Sequence, residues 1–247
     1  VSSMSGFDTT HWSVILRARG GAGEAREALE DLCRTYRTPV LAYIRRCVRG
    51  GDAAEDLTQA FFVHFLEKET FSVADPQRGR FRAFLLTAVK RFLINAHAET
   101  QAAKRGGGVQ FDSIDESVVG GLLGRGETPD QAFERSWAMI VLEGALRRLR
   151  SEAQQAGKQA LFEHLREFLT EAPDDADYTR VAAALNLRRN TLAVAVHRMR
   201  HRLRELVRIE LAQSTSSRGD LECELRELRG ALGAAMQADT EIAQVGS

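Results

Sequence analysis

The chain has 247 residues, with 34 basic and 34 acidic side chains and a formal net charge of zero. This neutral total conceals two basic segments, because residues 78–105 and residues 188–208 each carry seven Lys or Arg against one Glu. No apolar run approaches the roughly 18 residues of a membrane span, and Cys33, Cys47 and Cys223 lack metal or disulfide spacing. These features favour a cytoplasmic protein with room for two small domains, and they exclude a disulfide-stabilised or membrane-spanning one.

The first part of the chain predicts three helices between residues 24 and 105. Apolar residues recur at helical spacing up to Val48, and Gly50-Gly51 ends that helix. Asp52 is a suitable N-cap for a second helix over about 53–68. A third helix over about 79–103 would bury an apolar face that comprises Phe81, Phe84, Leu85, Ala88, Phe92 and Leu93. Together these helices predict an N-terminal bundle.

Residues 106–132 are rich in glycine and acids, which predicts a flexible linker. Helical spacing resumes at Phe133 and continues through a second domain over 133–210. The tail, 214–247, contains a further amphipathic helix, and almost no strand pattern occurs anywhere. The predicted fold is therefore all-α, with two small helical domains, a flexible linker between them and a C-terminal tail helix.

The most specific pattern is a helix-turn-helix over residues 178–208. Val181, Ala182 and Leu185 share one helical face, and Asn186 tolerates the left-handed conformation that a tight turn requires. A second helix from about Arg189 has an apolar stripe formed by Leu192, Val196, Met199, Leu203 and Leu206. Its other faces are rich in arginine, which suits a DNA major groove and its phosphates. A solvated amphipathic surface helix would show the same charge pattern.

The sequence has no pattern that indicates catalysis. Its six His are scattered, without a His-Glu-x-x-His motif or a Cys/His cluster, and no phosphate-binding glycine loop precedes a helix. The acidic pair Glu55-Asp56 has no second pair at the spacing of a di-metal site. We expect no enzymatic activity, no metal and no cofactor.

Three segments occur in an order and spacing that one known family shares. They are GDAAEDLTQAFFVHFLEK, RFRAFLLTAVKRFLINAHAETQAAKR, and the stretch from LRRLRSEAQQAGKQALFEHLREFL to RMRHRLREL. They resemble the core-binding segment, the −10-reading helix and the −35-reading domain of bacterial RNA polymerase sigma factors of the extracytoplasmic-function class, in the sigma-70 family. The resemblance covers about 24–105 and 133–210. It implies a protein that binds core RNA polymerase, recognises and opens promoter DNA, and initiates transcription.

The resemblance also implies roles for individual residues. The core-polymerase contact falls on an acidic helix face formed by Asp52, Glu55, Asp56 and Gln59. The −10 element and its phosphates would be held by Arg78, Arg80, Arg82, Lys90, Arg91 and Asn95. The −35 element would be read by Arg188, Arg189, Asn190, Thr191, His197, Arg198, Arg200 and Arg202. The loop 69–77 stands where the family holds a flipped promoter base, and an anti-sigma factor is a further partner that the family allows.

Two other functions fit parts of the pattern. A helix-turn-helix regulator would bind duplex DNA as a symmetric dimer without engaging polymerase. An adaptor or an anti-sigma partner would dock only on protein. The acidic run 52–59 separates these alternatives from a sigma factor, since a repressor needs no such surface.

The tail helix is an addition to the family pattern. Leu221, Leu225, Leu228 and Leu232 form an apolar stripe, and residues 211–247 carry six acids against three Arg. A net charge of −3 suits docking near a basic DNA-reading helix. The tail either completes the C-terminal bundle or restrains the two domains until core polymerase or another partner displaces it.

Overall fold

The protein is represented by a computed structural model that describes residues 23–48, 50–67, 80–105, 127–171, 173–212, 215 and 218–245. Within these ranges it contains α-helices, one short 3-10 helix and no strand, which confirms the all-α prediction. The α-helices are α1 (Gly23–Cys47), α2 (Gly51–Glu67), α3 (Phe81–Arg105), α4 (Pro129–Gln155), α5 (Gln159–Leu165), α6 (Asp175–Leu185), α7 (Arg189–Ala212) and α8 (Arg218–Val245). The 3-10 helix is Glu167–Leu169. None of the helices in these ranges is long and apolar enough to cross a membrane.

The chain forms two compact units, Val1–Ile140 with Ala212–Ser247, and Val141–Leu211. Unit 1, in its described parts, contains α1, α2, α3, the first turns of α4, and α8. Unit 2 contains the rest of α4, then α5, α6 and α7. The tail helix α8 therefore groups with the N-terminal helices, so it does not complete the C-terminal bundle, the first of the two alternatives for the tail. Most of the predicted linker lies outside the described residues.

The core of unit 1 is built from α1, α2 and α3. Its fully buried side chains include Val40, Ile44, Phe61, Phe65, Phe81, Leu85, Val89 and Leu93. The rings of Phe61 and Phe92 meet edge to face with centroids 5.6 Å apart, and those of Tyr36 and Phe81 lie 5.3 Å apart. The phenylalanines of α3 thus pack within the bundle. Burial of Phe81, Leu85 and Leu93 was predicted, but Phe84, Ala88 and Phe92 are only half-buried, and Val89 takes a central place.

The junction between α1 and α2 depends on glycine. Gly50 has φ of +100°, a backbone conformation that a residue with a Cβ adopts only with strain. Helix α2 then begins at Gly51, one residue earlier than its predicted cap. Asp52 lies in the first turn of α2, where its negative charge interacts favourably with the helix dipole.

Helix α4 begins within the range predicted as linker. Thr128 and Gln131 form a reciprocal cap. The backbone N–H of Gln131 donates to Thr128 Oγ1 at 3.2 Å, and the backbone N–H of Thr128 donates to Gln131 Oε1 at 2.8 Å. Pro129 occupies the first helical position. The backbone nitrogen there has no intrahelical hydrogen-bond partner, so the missing N–H of proline has no cost. Just before the cap, Glu127 accepts hydrogen bonds from Arg135 at 2.6 Å and from Arg46 of α1 at 3.0 Å. These hydrogen bonds, led by that from Arg135, hold the pKa of Glu127 below its usual range.

Unit 2 contains the predicted helix-turn-helix. Its core cluster consists of Leu165, Phe168, Val181, Leu192 and Val196, with Leu185 and Met199 packed at its edge. Asp174 caps α6 reciprocally with Asp177, and Asn186 ends α6 with φ of 50° and ψ of 43°. The left-handed turn predicted at Asn186 is confirmed. Helix α7 buries Leu192, Val196, Leu203 and Leu206, so its predicted apolar stripe is also present.

The turn conformation at Asn186 predicts a specific pattern of stability. Asn186→Gly should leave the free energy of unfolding within about 0.5 kcal/mol of wild type, because both residues adopt positive φ readily. Asn186→Val should lower it by about 1–2 kcal/mol, because a branched Cβ clashes in this conformation. Asn186 is exposed, so packing changes do not complicate the comparison. Urea denaturation followed by circular dichroism measures the difference, and equal stability of the two variants would contradict the turn geometry.

Candidate nucleic-acid and protein interfaces

The acidic residues of α2 lie on the face opposite its core contacts. Ala54, Thr58, Phe61 and Phe65 are buried, and the Thr58 hydroxyl donates to the Ala54 carbonyl at 2.7 Å. Asp52, Asp56 and Gln59 are exposed on the other side. The helix therefore presents two carboxylates and an amide to solvent, on a rigid element whose inner face is fixed by the core.

Glu55 has a different environment from its acidic neighbours. Its carboxylate accepts hydrogen bonds from Arg37 at 2.5 Å and from Arg45 at 2.9 Å, both of which lie on α1. Both arginine side chains are more than half exposed, and that of Glu55 is 36% exposed. The two ion pairs hold Glu55 on the α1 side, whereas Asp52 and Asp56 are exposed and have no ion pair with the described residues.

Helix α3 carries the predicted −10 readers on its exposed side. Arg91 and Asn95 are exposed, and Ile94 between them is 54% exposed. Lys90 is half-buried, and its Nζ donates to Asp130 of α4 at 2.5 Å. Arg78 and the loop 69–77 lie outside the described residues. The described part of this surface is thus a short strip of one arginine, one amide and one apolar side chain.

The two arginines at the start of α3 do not face open solvent. Arg82 is only 3% exposed, and its guanidinium contacts the carboxylates of Glu134, Glu224 and Glu227. The same guanidinium stacks on Trp137 with its Cζ 3.9 Å from the ring centroid. A phosphate contact by Arg82 requires this arrangement to open. The sequence pattern held no signal for these partners.

Arg80 is the more accessible of the pair, with 23% of its side chain exposed. Its Nη1 lies 2.6 Å from Glu227 Oε2, and its Nε lies 3.6 Å from Glu224 Oε1. Burial tends to lower the pKa of Arg80, but the hydrogen bond from Arg80 to Glu227 and the neighbouring carboxylates outweigh it and raise that pKa. Arg80 is therefore a charged side chain held by the acids of α8.

The predicted recognition helix α7 presents a strip of exposed side chains opposite its buried stripe. The strip includes Asn190, Thr191, Val194, His197 and Arg198. Val194 is 49% exposed, which places an apolar group among the polar ones. Arg188 and Arg189 are exposed at the helix start, and Arg189 pairs with Asp175 of α6. This strip has the donors and the methyl groups that read base edges in a major groove.

Arg200 and Arg202 lie beside the buried stripe of α7 and bind protein groups. Arg200 Nε donates to the Phe168 carbonyl at 2.7 Å, and its Nη2 donates to the Glu171 carbonyl at 2.5 Å. Arg202 holds Glu152 of α4 through two hydrogen bonds, at 2.8 Å and 2.7 Å, and donates to Glu205 at 2.8 Å. These two residues were predicted to contact DNA, and in the structure their donors stabilise unit 2.

No group of His, Cys, Asp and Glu within the described residues could hold a metal ion. Burial raises the pKa of the Cys33 thiol to about 12 and that of the Cys47 thiol to about 11. Thiols with such pKa values carry almost no thiolate at neutral pH and are poor nucleophiles.

Comparison with known families identifies part of unit 1. Residues 32–102, which run from α1 through α2 into α3, match the family model of Sigma-70 region 2. The match covers less than a third of the chain, and it supports a sigma factor of the sigma-70 family. Such proteins take part in polymerase binding and promoter recognition, and the family is not one of enzymes. Comparison with curated proteins and with solved structures returned no match.

The different environments of Arg198 and Arg202 predict different effects of alanine substitution on the free energy of unfolding. Arg202→Ala should lower the free energy of unfolding by about 0.5–1 kcal/mol at pH 7, a modest figure because the pair is partly exposed and screened by solvent. Arg198→Ala should leave stability unchanged, since Arg198 is exposed and no hydrogen bond or ion pair involves it in the described part of the chain. Thermal unfolding at neutral pH distinguishes the two variants.

The ion pair between Arg202 and Glu152 predicts how the stability difference between wild type and Arg202→Ala depends on pH. The hydrogen bond from Arg202 lowers the pKa of Glu152 in the folded protein. A carboxyl with a lowered folded pKa stabilises the protein above its unfolded pKa of about 4.3, and this contribution disappears as the pH falls through the folded value. Wild type and Arg202→Ala should therefore converge in stability in acid. A constant gap from pH 7 to pH 3 would contradict the role given to this ion pair.

Proposed function

We propose that the protein is a sigma factor of the extracytoplasmic-function class, which binds core RNA polymerase and directs promoter recognition, DNA opening and transcription initiation. The observation that carries this proposal is the match of residues 32–102 to Sigma-70 region 2. The same residues hold an exposed acidic face on α2 and exposed polar groups on α3. The domains in this proposal are a core-binding and −10-binding domain over 24–105, a linker over 106–132, a −35-binding domain over 133–210, and the tail 214–247.

Core polymerase is the proposed partner of the acidic face on α2. Asp52, Asp56 and Gln59 are exposed there, while Glu55 is neutralised by Arg37 and Arg45. A basic surface, such as the coiled coil of the largest polymerase subunit that the resemblance implies, would complement the remaining charge. A partner of this kind places the protein in the cytoplasm.

Promoter DNA is the proposed ligand of α3 and α7. Arg91 and Asn95 carry groups that hydrogen-bond unpaired bases, and Lys90 and Arg80 would supply phosphate contacts. On α7, Arg198 can bind guanine in the bidentate manner of arginine, and the exposed Val194 can contact a thymine methyl group. Arg188, Asn190, Thr191 and His197 complete this surface. An anti-sigma factor remains a further partner within the proposal.

A helix-turn-helix regulator that acts without polymerase is the alternative. The capped helix pair of unit 2 and its exposed strip favour it as a second candidate. It gives no role to the acidic face on α2 or to the match with region 2. A gel shift on duplex promoter DNA, with and without core polymerase, separates the two, because the regulator binds without a partner and the sigma factor needs one.

Charge reversal at Asp56 tests the polymerase contact. Asp56→Arg should weaken binding to core polymerase at least about 30-fold, because loss of one charged contact at a desolvated interface costs about 2–5 kcal/mol. We choose Asp56 over Asp52 for the substitution. Asp56 lies beyond the first turn, so its charge interacts less with the helix dipole and the change disturbs the helix less. The matched control is Glu143→Arg, an exposed acid on α4 with the same change of charge. Pull-down with core polymerase gives the result, and equal binding by both variants would remove the main support for the proposal.

Alanine substitution at Arg198 tests the −35 contact. Arg198→Ala should reduce transcription from the cognate promoter by the equivalent of about 1–3 kcal/mol and relax base preference at one position. Arg218→Ala, an exposed arginine at the start of α8, serves as the control and should leave transcription unchanged. The measurement is run-off transcription on promoters altered base by base around −35. Equal activity of both variants on all templates argues against a −35 role for α7.

A further inference from the structure

The tail helix α8 places two acids against the arginines at the start of α3. Glu224 and Glu227 lie three residues apart, on one side of α8. Glu227 binds Arg80 at 2.6 Å and also contacts Arg82, while Glu224 lies 3.0 Å from Arg82 and 3.6 Å from Arg80. All four residues belong to unit 1. The acids of the tail thus occupy guanidinium groups on the segment that matches region 2.

The contact described for α8 is concentrated around residues 224–228. Among the described side chains of α8, which extend over 218–233, the buried ones are Glu224, Leu225 and Leu228. The remaining ones are exposed or half-buried. Because the described part of α8 buries only these three side chains, that part can detach locally while the bundle of α1, α2 and α3 keeps its core.

The two glutamates respond differently to this environment. Burial raises the pKa of Glu224, which is only 1% exposed. Burial also tends to raise the pKa of Glu227, but the hydrogen bonds from Arg80 and Arg82 outweigh it, and the pKa of Glu227 falls below its usual range. Glu227, with 39% of its side chain exposed, is the more accessible member of the pair.

Arg80 and Arg82 also differ in how firmly they are held. Arg82 is bound by Glu134 and Trp137 of α4 as well as by α8, so it keeps partners when α8 leaves. The ion pairs shown for Arg80 are both with α8, and part of its side chain already reaches solvent. Displacement of α8 would therefore expose chiefly Arg80.

We propose that α8 competes with nucleic acid for Arg80. Glu227 and Glu224 of α8 bind the Arg80 guanidinium in place of backbone phosphates until single-stranded nucleic acid displaces them. A guanidinium binds carboxylate and phosphate through the same forked hydrogen bonds, so the two ligands compete for one side chain. Glu134, Glu224 and Glu227 outnumber the two arginines, and a phosphate placed there with α8 bound would meet a surplus of negative charge. The inference rests on the proposed function in one respect, that the displacing polyanion is promoter DNA.

Direct binding of single-stranded DNA tests the inference without polymerase. The full chain and three variants are titrated into a fluorescein-labelled oligo-dT strand, and fluorescence anisotropy reports binding. Glu227→Gln should bind about three- to tenfold more tightly than wild type, with a salt slope steeper by about 0.7, the value for one additional phosphate contact on a single strand. The control Glu222→Gln, exposed on the same helix, should match wild type. The gain should vanish in Glu227→Gln/Arg80→Gln.

Hydrogen exchange on the unaltered chain gives a second, independent measurement. Saturating oligo-dT should accelerate amide exchange across residues 221–232 and leave the core of α2 protected. This result does not depend on how well any variant folds. Unchanged or slower exchange in 221–232, or equal oligo-dT affinity for wild type, Glu227→Gln and Glu222→Gln, overturns the inference.

These outcomes are separable from failure of the proposed function. Loss of the sigma assignment would appear as equal core-polymerase binding by Asp56→Arg and Glu143→Arg, an assay that involves no DNA. Only the oligo-dT and hydrogen-exchange measurements can contradict the proposal that α8 masks Arg80. Each result therefore identifies which of the two proposals is wrong.

Discussion

Unit 1 depends on the burial of a single guanidinium. Arg82 is almost fully enclosed, and a charge in that position is costly unless carboxylates and hydrogen bonds compensate for it. The compensation comes from Glu134 on α4 and from Glu224 and Glu227 on α8, with the ring of Trp137 against the guanidinium. The start of α3 is thereby tied to two helices that are distant in sequence. The helices that match region 2 are thus joined by the C-terminal helix α8, which supplies two of the three carboxylates around Arg82.

Much of the helical architecture follows from the sequence, because apolar spacing is a local signal. The buried stripe of α7, the turn at Asn186 and the core positions Phe61 and Phe65 all follow from residues three or four apart. The start of α4 was also readable, since Thr128 and Gln131 form a capping box around Pro129, but the acidic, glycine-rich surroundings favoured a linker. The partners of Arg82 were not readable, since no local pattern connects position 82 with positions 224 and 227. A buried arginine also contradicts the general expectation that charged side chains face water.

The basic residues of α7 show why charge alone predicts a binding surface poorly. Arg200 follows Val196 by four residues and precedes Leu203 by three, so it lies beside the buried stripe and reaches backbone carbonyls. Arg202 flanks the other side of the stripe and reaches Glu152. Arg198 lies opposite the stripe and remains available. The position of each arginine relative to the apolar residues, which the sequence contains, separates structural from available cations better than their number does.

Internal pairing of arginines also accounts for how a neutral chain can carry two basic segments. Arg82, Arg200 and Arg202 are held by acids or carbonyls of their own unit, and Arg80 is held by α8. Each arginine engaged in this way is one phosphate contact fewer, and affinity for a polyanion falls with every contact that is lost. Within the described residues, Arg91 on α3 and Arg188 and Arg198 on α7 remain exposed. The basic segments therefore present less unpaired charge than their composition indicates, because part of that charge is bound within each unit.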